Sequence, residues 1–374
     1  MPDDSFPVDD IVPAVVQLWD AIEYNDTNYT AEELIRRLRY AYGEAAKHFA
    51  QPGIVTALQY PIKNIEHSIR VATGYVVYCW VKVSLELMAS LSIYFAYCVL
   101  VDDSAGGVGD PTLSMQDYVT DLLAGNPQRH PWFRLVNAHF PDLMKHFGPF
   151  CSLNIYCSTV DFFESCWIEQ LNFNGYRGAV EYPNFLRRLN ALGKASGASL
   201  WPTALFDEQK LLCEITTTIA IMEKFIGWVN DLLSFYKEFD VPRDRVGWVD
   251  NYCKVNDSTL SECLKQLSHN AIRVSTQLKS VFSDKDSDVA DTVISFLHGY
   301  ITWQFNDERY RFSEMCLRVK QEEEVSIRFH QYVDQAIQSG RVDPADWAVP
   351  TFTSLSVEKQ NKIGRNITSK EGKE

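Results

Sequence analysis

The chain has 374 residues, 46% hydrophobic and 22% charged, with 35 Lys and Arg against 49 Asp and Glu for a net charge of −14. That balance supplies enough apolar surface for a large core and excludes disorder over most of the length. The acidic surplus argues against non-specific nucleic-acid binding, which needs cations to neutralise phosphates.

Residues 1–10 carry four Asp and no apolar run, so neither a secretory signal nor a basic transit peptide is read there. Thr30-Ala-Glu-Glu33 reads as a capping box opening a helix that carries Leu34, Leu38, Tyr42 and Ala45. Two almost wholly apolar helices are expected at about 64–81 and 84–102. Such helices, apolar on every side, belong at the centre of a bundle. The longest unbroken apolar run, Ile93 to Val101, is too short to span a bilayer, so no membrane span is expected. Periodicity predicts further helices at roughly 113–124, 131–147, 151–172, 184–193, 208–239, 257–282, 288–318 and 320–339. Strand alternation is absent, and short breaks fall at 105–111, 174–178 and 240–243. With no repeat and no Ser/Gly-rich linker, the expectation is one all-α domain over 1–374, with its core at about 24–347 and an irregular tail from Asp343. The nine Cys form no CxxC pair and read as mostly buried free thiols of a reducing compartment, hence a cytoplasmic protein. The sequons at Asn25, Asn28, Asn256 and Asn366 then carry no weight.

Four constellations could carry chemistry. Asp102-Asp103 close the apolar helix and precede Gly106-Gly107. Carboxylates there face the negative end of the helix dipole and need an offset, from solvent, an arginine or a metal; alternatively they form a polar turn with a glycine stop. Asn230, Ser234 and Glu238 stand at i, i+4 and i+8, on one helical face. An amide oxygen, a hydroxyl and a carboxylate in that register make a hard-oxygen set suited to Mg²⁺. A solvated polar stripe is the other reading, weakened by the apolar residues around it, among which polar groups need partners. Phe296, Tyr300, Trp303, Asp307 and Tyr310 alternate spacings of four and three, an aromatic wall leading to the charged Asp307-Glu-Arg-Tyr-Arg311; such a stripe also serves as plain core. Aromatic residues are 13% of the chain, and rings can fill a core or line a ligand pocket. Arg187-Arg188 could hold a phosphate bidentately or lie on a solvated face. No Walker loop, dinucleotide fingerprint, HExxH or His pair at ligand spacing is present.

At these residues the chain resembles the class I terpene cyclases and, within them, the trichodiene synthase family. Asp102-Asp103 match the aspartate-rich motif, and Asn230-Asp-Leu-Leu-Ser234-Phe-Tyr-Lys-Glu238 matches (N/D)Dxx(S/T)xxxE. Longer runs such as Phe147-Gly-Pro-Phe-Cys-Ser-Leu-Asn154, Cys166-Trp-Ile-Glu-Gln170 and Arg309-Tyr-Arg311 carry the similarity over roughly Tyr24 to Trp347. The resemblance implies a helical bundle around a central apolar cavity, a homodimer, and three Mg²⁺ ions. It implies ionisation and cyclisation of farnesyl diphosphate to trichodiene or a related sesquiterpene, with release of diphosphate. It assigns metal binding to Asp102, Asn230, Ser234 and Glu238, and diphosphate contacts to Arg187, Lys237, Arg309 and Tyr310. Asp102, Arg309 and Tyr310 are its catalytic set, and Phe95, Phe162, Tyr300 and Trp303 its cavity walls. One departure stands out: Gly106 occupies the last position of the usual Asp-Asp-x-x-Asp, leaving Asp103 or Asp110 as the candidate further acids. A prenyl-chain elongating transferase would carry a second DDxxD in place of the Asn-Asp-x-x-Ser motif, and a non-catalytic helical scaffold would have let the metal site decay, with Gly106 as its mark.

Overall fold

The computed structural model describes residues 6–104, 115–240 and 247–359. In chain order its helices are α1 (Val8–Ile22), α2 (Ala31–Phe49), α3 (Pro52–Leu58), α4 (Ile62–Cys79), α5 (Leu85–Ser104), α6 (Met115–Leu123), α7 (Pro131–Met144), α8 (Pro149–Glu169), α9 (Tyr182–Asn190), α10 (Gly193–Ala198), α11 (Leu212–Asp240), α12 (Trp248–Asn256), α13 (Leu260–Ser280), α14 (Ser287–Asn306), α15 (Phe312–Arg318), α16 (Glu324–Gly340) and α17 (Pro344–Trp347). Among the described residues there is no strand, and the fold is all-α. Gly106, Gly107, Asp110 and Asn366 lie outside the described residues.

Several local expectations are corrected. Helix α1 was not expected behind its acidic start, yet it buries Ile11, Val15, Leu18, Trp19 and Ile22 along one face, with Asp9 and Asp10 in its first turn where the dipole favours them. At Thr30 only half of the capping box forms. The hydroxyl accepts from the Glu33 amide at 3.3 Å, but the Glu33 carboxylate turns to Arg36 (2.7 and 2.8 Å) and Arg37 (2.6 Å). The full reciprocal box stands at Thr259–Glu262, opening α13. The segment expected as one helix over 288–318 is broken. Asp307 leaves helical geometry and caps a 3₁₀ turn, Glu308–Tyr310, by accepting from the Arg309 amide at 2.9 Å, and Arg311 then turns left-handed at φ 59°. Within the tail expected from Asp343, the described residues to 359 are helical in part rather than irregular: α17 and a helical run at 352–359 bury Trp347 and Phe352, and the Phe352 amide donates to Tyr42 Oη at 3.0 Å.

The chain divides into two compact units, one of Met1–Asn28, Tyr78–Val81 and Phe147–Arg341, the other of Tyr29–Val77, Lys82–His146 and Val342–Glu374. In the second, α5 packs against α2 and α7, and every residue from Leu87 to Cys98 is buried, the placement its all-round apolarity predicts. Leu85–Asp103 is the one described helical stretch long and apolar enough to cross a bilayer, and 72% of it is buried inside the protein. In the first unit the 29-residue α11 is the hub, packed against α9, α10, α13, α14 and α1. Its closest neighbour is α10. A β-carbon on Gly193 would stand 2.5 Å from the Glu223 α-carbon, and one on Gly197 would stand 3.0 Å from that of Ile219, so two glycines four residues apart let the backbones meet. That contact fixes the part of α11 leading into the Asn230 motif.

Candidate active site

The register read from the sequence is realised on α11. Asn230 and Glu238 are half-buried, while Ser234 is 1% exposed and Asp231 4% exposed. Ser234 Oγ donates to Glu238 Oε1 at 2.6 Å, one helical turn on. Two hard oxygens are thus held close to the spacing of neighbouring ligands around a cation with bonds of ~2.1 Å. Asn230 offers the third oxygen of the set, but here its Oδ1 accepts from Arg187 Nη2 at 2.8 Å and its Nδ2 donates to Tyr310 Oη at 3.3 Å.

Arg187 comes from α9 and spends its whole fork on protein groups. Nε donates to Asp231 Oδ2 at 3.0 Å, Nη1 to Asn190 Oδ1 at 2.9 Å, and Nη2 also to the Gly227 carbonyl at 3.2 Å. Asn190 is itself anchored by Glu169 Oε1 at 2.6 Å. Gly227 makes room, since a β-carbon there would press on Arg187 Cγ at 3.1 Å. Burial works against the Arg187 cation, but Asp231 and then Glu238 outweigh it and leave its pKa above the usual guanidinium value. For Asp231 burial wins over the attraction of Arg187 and pushes its carboxyl up to about 7. Arg188, the other half of the Arg187-Arg188 pair, points elsewhere: it is exposed and stacks on the Phe185 ring at 5.8 Å.

The 3₁₀ turn delivers what a continuous helix was expected to. Tyr310 is buried with its ring edge-on to Trp303 at 5.3 Å, and burial holds its phenol protonated, far above the usual value. Arg309 and Lys237 are half-buried beside it in sequence and on α11 respectively. Behind Trp303, Tyr300 lies 5.9 Å away; it stacks on Phe296 at 5.9 Å, and its hydroxyl donates to the Ile226 carbonyl at 3.3 Å. Phe162 is buried on α8 next to Phe163. Asp102, Asp103 and Phe95 belong to the other unit. Asp102 and Asp103 are exposed in the last turn of α5, and Phe95 is buried edge-on to Tyr75 and Tyr94, each at 4.9 Å.

Among the described residues, no group of three or more His, Cys, Asp or Glu is placed to hold a metal. Asn230, Ser234 and Glu238 place an amide oxygen, a hydroxyl and one carboxylate on one face of α11. Sequence reasoning passed over Asp231, Asn190, Glu169 and Gly227. Asp231 was inside the quoted motif, and a carboxylate set in an apolar run, which needs a partner, was the available signal; Asn190 stood one turn after Arg187 on α9, whereas Glu169 left no signal, because its pairing with Asn190 crosses 21 residues of chain.

A family model described as trichodiene synthase matches residues 5–370 of the chain. The chain belongs to the trichodiene synthase family. It is 47% identical over 372 residues to the trichodiene synthase of Fusarium sporotrichioides, covering 99% of this chain and 96% of that one. It is 48% identical over 354 residues to the trichodiene synthase of Fusarium boothii, covering 94% of each. The Gibberella pulicaris enzyme is also 48% identical over 354 residues, which span 94% of this chain and 92% of that relative. Family membership thus extends past the Tyr24–Trp347 span of the sequence resemblance, into α1 and the residues after α17.

Proposed function

We propose that the chain is a sesquiterpene synthase, a lyase that ionises farnesyl diphosphate and cyclises it to trichodiene with release of diphosphate. The observation that carries this reading is the constellation on α11, where three hard-oxygen donors in one register lie against a half-buried arginine and a protonated tyrosine, in a chain of this family. Asp102, Asn230, Ser234 and Glu238 are the proposed ligands of Mg²⁺, three ions in the working enzyme. Bound Mg²⁺ would supply the positive charge that a departing diphosphate needs.

The chain's own residues supply the rest. For Asn230 to turn its oxygen to a cation, Arg187 must release it, and the freed Nη2 then becomes a donor for phosphate oxygen. Ligand binding would thus trade one hydrogen bond for two charge-assisted ones. Arg187, Lys237, Arg309 and Tyr310 are the proposed diphosphate contacts, stabilising charge where it develops as the carbon–oxygen bond breaks. The allylic cation left behind has to be kept from water and shaped. Phe95, Phe162, Tyr300 and Trp303 are the proposed walls, since ring faces attract cations without acting as strong bases. The Tyr300 hydroxyl is committed to the Ile226 carbonyl, which leaves the ring as its contribution. Operation as one catalytic domain, in a cytoplasmic homodimer, completes the reading; the burial of α5 supports a water-soluble enzyme.

The test is purified protein with farnesyl diphosphate and Mg²⁺, its volatile products separated by gas chromatography and identified by mass. A single dominant trichodiene peak is expected. A longer diphosphate would establish elongation instead, and untouched substrate would establish a scaffold.

A further inference from the structure

Helix α12 and helix α13 meet at a sharp corner. Asp257 turns left-handed at φ 56°, and the Thr259–Glu262 box starts the next helix. Cys253 and Cys263 stand five residues before and after Ser258, and their sulfurs cross the corner. Cys253 Sγ approaches the Thr259 carbonyl at 3.8 Å, the same oxygen that accepts the Cys263 amide at 3.0 Å. Cys263 Sγ approaches the Val249 carbonyl at 3.6 Å, one turn back from Cys253 on α12. Each thiol therefore reaches into the helix of the other, within one turn of the other's position. Cys253 is half-buried and Cys263 fully buried.

We propose that Cys253 and Cys263 form an oxidisable dithiol, in which a peroxide converts Cys253 to a sulfenic acid and Cys263 then closes a disulfide between α12 and α13. In the first step the Cys253 sulfur attacks one peroxide oxygen, the O–O bond breaks, and water leaves. In the second the Cys263 sulfur attacks the sulfenic sulfur, the S–O bond breaks, and a second water carries off the remaining proton. Two thiols and one hydrogen peroxide thus yield one disulfide and two waters. The division of labour follows from the surroundings. Hydrogen bonding from Cys263 holds the Cys253 thiol below its usual pKa, and the same contact with burial holds Cys263 above it. A half-exposed thiol biased toward thiolate beside a buried resolving thiol is the arrangement that oxidation selects.

The bond would not be silent. Closing the sulfurs to about 2 Å draws α12 toward α13. The α12 N-terminus backs onto the proposed metal site: a β-carbon on its capping residue Gly247 would lie 3.5 Å from Glu238 Oε2. Trp248, the first residue of α12, donates to Asn184 Oδ1 of α9, the helix of Arg187, at 3.0 Å. The expected effect on turnover rests on the proposed function; the thiol chemistry does not.

The reduced full-length protein is treated with hydrogen peroxide, alkylated and mapped by peptide mass. One intramolecular cross-link is expected, joining the peptides that carry Cys253 and Cys263, two hydrogens lighter than their sum and reversed by dithiothreitol. Cys263→Ala should stop at a Cys253 sulfenic acid that dimedone labels, and Cys253→Ser should give no cross-link. A cross-link to another cysteine, or a Cys253 that oxidises no faster than exposed Cys213, overturns the assignment. Turnover of the cross-linked enzyme should fall by about tenfold and recover on reduction, while Cys253→Ser keeps its rate in peroxide; an unchanged rate in fully cross-linked protein overturns the coupling to Glu238.

Discussion

Helices α5 and α11 both run from a buried apolar stretch into carboxylates, and they hold those carboxylates differently. On α5 the acids come at the end: Asp102 and Asp103 are exposed in the last turn, with no basic residue in that turn. On α11 the polar groups lie inside the apolar run, so each is bound before any ligand arrives. Ser234 is tied to Glu238, Asn230 to Arg187 and Tyr310, and Asp231 to Arg187. A buried polar group must be satisfied and is thereby aimed, whereas an exposed carboxylate can also be satisfied by water. The difference leaves the polar groups of α11 preorganised within their own unit.

Substitutions can break that contrast, beginning with the largest. Arg187→Ala removes the partner of buried Asp231 together with a phosphate donor. We expect kcat/KM to fall by about a thousandfold and the fold to lose about 3 kcal/mol, read by denaturant unfolding, because buried Asp231 must take up a proton and the acceptors Asn190, Asn230 and the Gly227 carbonyl lose their donor. Unchanged stability would mean that the fork seen on α9 is idle. Asp102→Asn is expected to slow turnover by about a hundredfold with the unfolding midpoint unmoved, the mark of an exposed ligand, whereas Asp103→Asn should stay within about threefold. Equal effects at the two positions would remove the distinction between ligand and neighbour.

A pH experiment sharpens the comparison from the side of α5. Its Tyr97 hydroxyl meets His48 Nε2 at 2.9 Å, and His139, whose ring centre is 5.7 Å from that of His48, binds the Ser90 carbonyl at 2.9 Å. Burial first and His139 second push His48 down to about 4, while Asp142 pulls weakly upward; burial lowers His139 as well. A histidine held neutral in the fold titrates near 6.5 once unfolded. The unfolded chain therefore binds more protons between those values, and stability present above pH 6.5 is lost as pH falls toward 4. The loss should reach about 3 kcal/mol, and His48→Gln should flatten the slope in a series of thermal melts. The smallest effect is expected at Tyr300→Phe. Losing the bond to the Ile226 carbonyl should cost about 1 kcal/mol, and the product profile should hold, because the ring remains. Trp303→Leu, by contrast, should redistribute products with kcat/KM within about threefold; an unaltered product profile would make Trp303 ordinary core.

Much of this was legible in the sequence where one local period decides the structure. The buried course of α5 followed from its all-round apolarity, and the common face of Asn230, Ser234 and Glu238 from steps of four. What failed needed a competitor outside the period. The Glu33 carboxylate found two arginines more attractive than a backbone amide, so the box at Thr30 stayed half-made. The aromatic rhythm from Phe296 ran on through Tyr310 while Asp307, a good cap, ended the helix beneath it. Helix α1 was hidden by its acidic first turn, although Ile11, Val15, Leu18 and Ile22 already kept helical spacing. The partners of Arg187 beyond its own helix, Asp231, Asn230 and the Gly227 carbonyl, could not be foreseen, because α9 and α11 meet only in the fold.

A magnesium titration of turnover, run on the wild type and on Glu238→Gln, tests the central claim most directly. With the carboxylate replaced by an amide, the Mg²⁺ concentration for half-maximal rate should rise by at least about tenfold and the saturated rate should fall by about a hundredfold or more. Superimposable curves would contradict the account, since Glu238 would then be a spectator and α11 no metal site.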